Sequence, residues 1–142
     1  MAHRDAAGSA ISDDFGKLIL RFALGLLILL HGVAKVTGGI DSIGAMLMQH
    51  GVPASLSYLV YVGEVLAPLL LIVGAWTRLA GLVVAANMVV AVLLAHRGEV
   101  RALGSSGGWA LELQAMYLFG ALAIMFLGAG RYSLGGARGR WN

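Results

Sequence analysis

The chain contains no cysteine. That absence removes disulfides, thiolate zinc sites, Fe–S clusters and any thiol relay within the chain. Charge is scarce as well: 12% of the residues are Asp, Glu, Lys or Arg, about half the usual ~25%. No G-x-S-x-G elbow, P-loop or H-E-x-x-H pattern occurs, so the motif-borne hydrolase, nucleotide and zinc-protease chemistries are missing. The glycines between Gly104 and Gly108 follow no strand and make no phosphate cradle.

What is present is apolar. Hydrophobic residues make up 59% of the 142 positions, and the mean hydropathy is +0.85. A soluble domain of this length needs more polar surface, because small bodies have a high surface-to-volume ratio. Disorder requires low hydrophobicity and is excluded too. The composition specifies a membrane protein with room for one domain. A net charge of +3 and a pI near 9.7 on so apolar a chain fit arginines facing anionic lipid, not nucleic acid.

Crossing ~30 Å of hydrocarbon takes about 20 mostly apolar residues in a helix. Four segments qualify: Lys17 to Val36, Leu56 to Trp76, Leu79 to Ala95 and Trp109 to Gly128. Backbone groups in lipid must be satisfied internally, and these lengths fit helices rather than a barrel. Only Thr77 and Arg78 separate the second and third segments, which makes them antiparallel neighbours. Ile40, Ile43 and Leu47 share a helical face, so Asp41 to His50 reads as a short helix on the membrane surface, stopped by Gly51 and Pro53. The expected fold is an all-α, antiparallel transmembrane four-helix bundle with that interfacial helix between spans one and two. The domain plan is a polar N-terminal segment over 1–14, a membrane domain over 15–130 and a basic, glycine-rich, mobile tail over 131–142. The first apolar segment is long enough to span and lacks a small-residue cleavage site, so it does not read as a signal peptide.

An even number of spans puts both termini on one side. That side carries Arg4, Lys17, Arg21, Arg78, Arg131, Arg138 and Arg140, seven of the ten basic residues. The positive-inside rule then makes both termini cytoplasmic in a multi-pass protein of the bacterial inner membrane.

Charged groups inside spans are costly and by default mark function or a bundle-interior pair. Folding the four spans places His31 and Lys35 near the outer end of the first. Glu64 falls ~12 Å below the outer boundary of the second, at 1.5 Å per residue. His96 ends the third, and Glu112 opens the fourth, with Gln114 and Tyr117 following. His31, Lys35, Glu64, His96 and Glu112 thus converge on the outer half from all four helices. His31 and Lys35 are spaced i,i+4 and share a face. Pro68 cannot donate to the carbonyl of Glu64 four residues back, so a kink with a free carbonyl is expected at the depth of the acid.

Plainer roles stand beside these. Lys35 and His96 lie near span ends, where snorkelling to headgroups serves equally. Glu112 suits a first-turn acid facing the helix dipole. A Lys35–Glu64 pair can be structural glue. Arg21 is placed to snorkel to phosphate or to pair with Asp13 or Asp14. Asn87 reads as an interhelical hydrogen bond, and Gly25, Gly32, Gly63, Ala67, Gly74 and Gly120 as close-packing positions.

The polar set admits three ligands. A quinone wants donors such as His or Lys at its carbonyls and carboxylates to relay protons, and an apolar pocket in the leaflet suits its ring and tail. A bis-His haem on His31 and His96 is the second. A His/Glu metal site is the third, and Lys35 would oppose its cation. The leading reading is a quinone-like ligand held by His31, Lys35, Glu64 and Tyr117, with Glu64, His96 and Glu112 relaying protons outward. The alternative is a non-enzymatic subunit or assembly partner of a membrane oxidoreductase complex, with a structural polar cluster. A transporter is disfavoured because the inner half holds few polar groups besides Asn87 and Arg21. Expected partners are membrane lipids, a membrane or periplasmic redox protein and a second copy of the chain.

The run R-F-A-L-G-L-L-I-L-L-H-G-V-A-K at Arg21 to Lys35 resembles the opening span of the DoxX family of small bacterial membrane proteins. The run G-E-V-L-A-P-L-L-L-I-V-G-A-W-T-R at Gly63 to Arg78 is similar to that family's second span and turn, and G-A-G-R-Y-S-L at Gly128 to Leu134 to its closing segment. The resemblance extends over Phe15 to Leu134. It implies a four-helix membrane protein, with relatives linked to thiosulfate:quinone oxidoreduction and to membrane oxidoreductase complexes handling thiol or oxidative stress. Arg21, His31, Lys35, Glu64, His96 and Glu112 are the positions to which such roles would fall.

Overall fold

A computed structural model describes residues 2–105, 107–136, 139 and 141–142, with side chains from residue 11 onward. Arg138, Arg140 and the side chain of Arg4 lie outside the described residues. Helix α1 spans Ala2–Gly38, beginning well before the expected Lys17, because the early alanines are strong helix formers and let the polar segment continue the helix. Helix α2 covers Asp41–Gln49. Helix α3 runs over Ala54–Val73, opening in a 3-10 stretch at Ala54–Tyr58. Helix α4 spans Thr77–Ala95, and α5 spans Glu112–Leu127. Among the described residues the one strand-like feature is an isolated bridge between Leu103 and Trp109.

Three helices are long and apolar enough to cross a membrane: α1 from Ile11, α3 and α4. Helix α5 is apolar but has 16 residues, ~24 Å of rise against ~30 Å of hydrocarbon. It starts three residues later than its hydropathy suggests. Trp109 is drawn into the preceding turn, where its main-chain N–H donates to Glu112 Oε1 at 2.9 Å and its indole N–H to the Val100 carbonyl at 2.9 Å. The protein is an all-α, multi-span membrane helical bundle.

The shared core is built from Leu24 and Ile28 of α1, Leu71 of α3, Val84 and Met88 of α4, and Tyr117, Ala121 and Ile124 of α5. Large apolar side chains such as Leu30, Phe119 and Phe126 stay exposed on the outside of the bundle. That inversion is what a lipid surround stabilises. Helices α4 and α5 approach closely because Gly81 faces the main chain of Ala121 and Met125.

The expected break around Pro68 takes a specific form. Val62–Leu66 is a π-helical turn that ends two residues before the proline, a common relief for an interrupted hydrogen-bond ladder. The Glu64 carbonyl, which Pro68 cannot serve, packs against the Cα of Gly32, so that a side chain there would overlap it. Gly32 therefore seats α3 against α1. Helix α3 ends earlier than expected, at Val73, with Gly74 left-handed at φ 71°. Thr77 and Arg78 accordingly open α4 instead of forming the turn.

The end segment departs most from expectation. Its described residues are docked, not free. Main-chain N–H groups of Leu134 and Gly135 donate to the Val73 and Gly74 carbonyls at 3.1 and 2.9 Å. Asn142 Oδ1 accepts from the Thr77 hydroxyl at 3.0 Å, and its amide donates to the Gly136 carbonyl at 2.6 Å. Arg78 donates to the main-chain oxygen of Asn142 at 3.0 Å and to those of Met125 and Phe126 at 3.1 and 2.9 Å, closing the end of α5. Arg21 neither snorkels nor pairs with Asp13 or Asp14. It is completely buried and donates to the carbonyls of Leu71 at 3.0 Å and Tyr132 at 2.6 Å. Asp14 instead accepts from the Arg131 main-chain N–H at 3.2 Å and lies 3.9 Å from Lys17 Nζ. The docked segment covers Arg21 and cuts off its route to the headgroups.

Candidate functional site

At the opposite end from this clasp, a cavity of about 250 Å³ opens between α1, α3, α4 and α5. Ile28, His31 and Lys35 line it from α1, Glu64 from α3, Met88 and Ala91 from α4, and Leu113, Gln114 and Tyr117 from α5. His96, which caps the end of α4, completes the wall. An aliphatic groove of about 320 Å³ lies near the α1–α3 contact, lined by Val36, Tyr61, Val62, Val65, Leu66 and Leu69. Its one titratable group is the Tyr61 hydroxyl, which donates to the Lys35 carbonyl at 3.4 Å. The smaller cavity is the one with acid–base capacity.

Within it, Lys35 Nζ is ion-paired with Glu64 Oε2. Glu64 is 5% exposed, so its carboxylate depends on partners, since an unpaired charge at this depth is costly. The other carboxylate oxygen accepts from Asn87 Nδ2 at 3.4 Å. Asn87 comes close because Gly63 leaves no Cβ in its way. The π-turn carrying Glu64 and the small residues Gly32 and Gly63 thus hold the acid between the lysine of α1 and the amide of α4. The formal charges of Lys35 and Glu64 cancel.

The His31 ring meets Tyr117 edge-to-face, centroids 6.0 Å apart, a favoured aromatic geometry. Across the cavity, His96 Nδ1 lies 3.0 Å from Glu99 Oε2, and its Nε2 lies 3.4 Å from Gln114 Nε2. A carboxylate can only accept, so the neutral ring donates from Nδ1 and presents Nε2 as an acceptor to the Gln114 amide. Gln114 Oε1 is buried with no hydrogen-bond partner.

Of the residues singled out from sequence, His31, Lys35, Glu64, His96 and Tyr117 line one space. Glu112 does not line it: its side chain is exposed and accepts from the Trp109 N–H, in the first turn of α5, where an acid facing the helix dipole is expected. Arg21 lies at the clasp end, bound to carbonyls. Asn87 forms the interhelical hydrogen bond expected of it, and its partner is Glu64. Glu99 was not foreseen. An acid three residues after a span-ending histidine was the available signal, since that spacing brings the two side chains together in a turn. Among the described residues no group of three or more His, Cys, Asp and Glu side chains could hold a metal ion.

The sequence model of the DoxX family matches residues 16–97, more than half of the chain. The chain belongs to the DoxX family. The match takes in α1 from Gly16, beyond its polar segment, then α2, α3 and α4, together with His31, Lys35, Glu64 and His96. It stops before α5, so Gln114, Tyr117 and the closing Gly128 to Leu134 segment lie outside it. No curated protein and no solved structure matches this DoxX protein. Membership and spans together give a multi-pass protein of the bacterial inner membrane.

Proposed function

We propose that this DoxX protein binds the ring of a quinone-like, lipid-soluble molecule in the polar cavity and exchanges protons with it. The supporting observation is the cavity itself, where two histidines, a lysine, a glutamate and a tyrosine brought by four helices and their ends line one space. In this reading α5 is a fourth span, α2 lies along the membrane surface, both termini are cytoplasmic and the cavity faces the periplasmic half of the bilayer. The residues suit such a ligand. An ammonium has three N–H donors, and pairing with Glu64 leaves Lys35 free to donate to a ring oxygen beside His31. Tyr117 and His31 form an aromatic wall for a flat ring. A volume of about 250 Å³ is below the ~300–1,000 Å³ of pockets that enclose whole drug-sized ligands, so the ring enters and an isoprenoid tail stays in lipid. A bound quinone supplies two-electron, two-proton carrier chemistry. The protein's part is to orient the ring, exclude water and hold protons at Glu64 and His96.

The test is solvent extraction of protein purified in its native lipid, followed by chromatographic assay for quinone. Near-stoichiometric quinone, depleted about tenfold in Lys35→Met and His31→Leu, is the expected result, each substitution removing a hydrogen bond to the ring. No enrichment over the surrounding lipid would defeat the reading. The completeness of the Lys35–Glu64–Asn87 set favours a second reading, a non-enzymatic subunit of a membrane oxidoreductase complex with this set as its interhelical tie. Glu64→Gln separates the two: a stable protein with altered quinone occupancy supports ligand chemistry, and loss of the fold or complex supports the tie.

A further inference from the structure

Glu99 and the unpartnered Gln114 Oε1 are left unused by that reading, and they flank the same histidine. We propose that Glu99, His96 and Gln114 form a proton port between the cavity and the aqueous surface, in which the Gln114 amide turns over when His96 gains its second proton. The inference rests on the cavity being the reacting site. It adds the route by which protons leave it.

The geometry supplies each step. Glu99 is half exposed, and its carboxylate reaches His96 Nδ1. His96 lines the cavity while its ring keeps partial contact with solvent. In the neutral state Gln114 donates to Nε2, and its own carbonyl oxygen is left buried and unmatched. Such an orphan is costly. Once a proton adds to Nε2, that nitrogen becomes a donor, and the amide NH₂ facing it is mismatched. A half-turn of the amide brings Oε1 to Nε2–H and relieves the mismatch. The imidazolium then has an acceptor at each nitrogen: Glu99 at Nδ1 and Gln114 at Nε2.

The proton balance closes. One proton adds to Nε2 from the cavity, and one leaves Nδ1 for the Glu99 carboxylate and then water. The partly exposed ring recovers its Nδ1–H form by taking a proton from water at Nδ1 and releasing the Nε2 proton to water, so that one proton has passed from cavity to water and no electrons move. The other ionisable groups that share the cavity with His96 are His31 and Lys35 from α1, Glu64 from α3 and Tyr117 from α5. Arg97 follows it in the chain. Lys35 and Glu64 neutralise each other, which leaves Glu99 as the charge in direct contact with the ring.

The experiment is a pH titration by NMR of the full chain in lipid nanodiscs, with isotope-labelled histidine and glutamine; His96 signals are assigned by their loss in His96→Asn. The expected neutral form is the Nδ1–H tautomer, with the Gln114 amide signals moving in step with His96 protonation. Glu99→Leu should uncouple the two and slow solvent exchange of the His31 ring proton by about a hundredfold, the lower end of what a positioned proton carrier contributes. Glu99→Gln, which keeps the shape and one acceptor oxygen, should retain the tautomer but not the exchange rate. An Nε2–H tautomer in the unmodified protein, Gln114 signals indifferent to His96, or unchanged exchange in Glu99→Leu would each overturn the port. Quinone content is read separately: failure of the port with quinone present leaves the binding reading intact, whereas absence of quinone from the unmodified protein defeats that reading and removes the port's proton source with it.

Discussion

Helix α1 carries a cation to each end of the bundle, and the two ends treat it differently. At the clasp end Arg21 is sealed beneath the docked terminal segment and held by carbonyls. At the cavity end Lys35 is partly exposed, paired with a carboxylate, and borders open volume. A guanidinium distributes its charge over a planar fork and suits permanent burial against carbonyl groups, whereas an ammonium is a mobile point charge that can change partners. The comparison separates a region organised for cohesion from one that keeps polar groups available.

Removing each cation tests this contrast at its strongest. Arg21→Ala should be the most damaging single change. It opens a void and strands the Leu71 and Tyr132 carbonyls, for a loss of about 3 kcal/mol or more. Limited proteolysis should then find the segment after Gly130 cleavable, with quinone occupancy per folded molecule unchanged. Glu64→Leu leaves Lys35 without its counter-charge, at a cost of about 2–3 kcal/mol, reduced from the fully buried case because the lysine is only partly enclosed by the protein. The double substitution Lys35→Met with Glu64→Leu should recover most of that loss. Denaturant unfolding in a fixed detergent reads the cycle. A double variant as unstable as Glu64→Leu alone would show that the pair is not the source of the cost.

Two glycines of α1 sharpen the contrast between packed and open faces. Gly32→Ala forces a methyl group onto the Glu64 carbonyl, while Gly16→Ala meets nothing within 4 Å. The first should lower stability by about 1–3 kcal/mol, and the second should leave it unchanged or raise it by up to ~1 kcal/mol through helix propensity. The smallest expected effect is that of Glu112→Gln. The amide still accepts from the Trp109 N–H but loses its charge at the helix start, about 0.5 kcal/mol. Quinone occupancy should not change, and a clear fall would return Glu112 to the cavity's working set.

Much of the membrane architecture was legible because it follows from hydropathy and rise per residue. Those two quantities located α3 and α4 and brought Glu64 to the level of Lys35. Pro68 announced the disturbed ladder, since a missing donor is a local fact. The clasp was not legible: Arg21 and Arg78 bind main-chain oxygens, and a carbonyl has no residue identity to read. Glycine and arginine after Gly128 look like solvated tail composition, yet the main-chain N–H groups of Leu134 and Gly135 find the exposed end of α3. Glu99 lies outside every span, and its partnership with His96 is made by the turn beyond one, where hydropathy marks nothing.

The seat formed by Gly32 and the Glu64 carbonyl also restricts how the bundle can move. A main-chain oxygen lodged against a bare Cα acts as an axial stop, so α1 and α3 cannot slide past one another without losing contact over the whole seam. The Lys35–Glu64 side of the cavity is thereby fixed in register, with His96 and Gln114 facing it from the far wall.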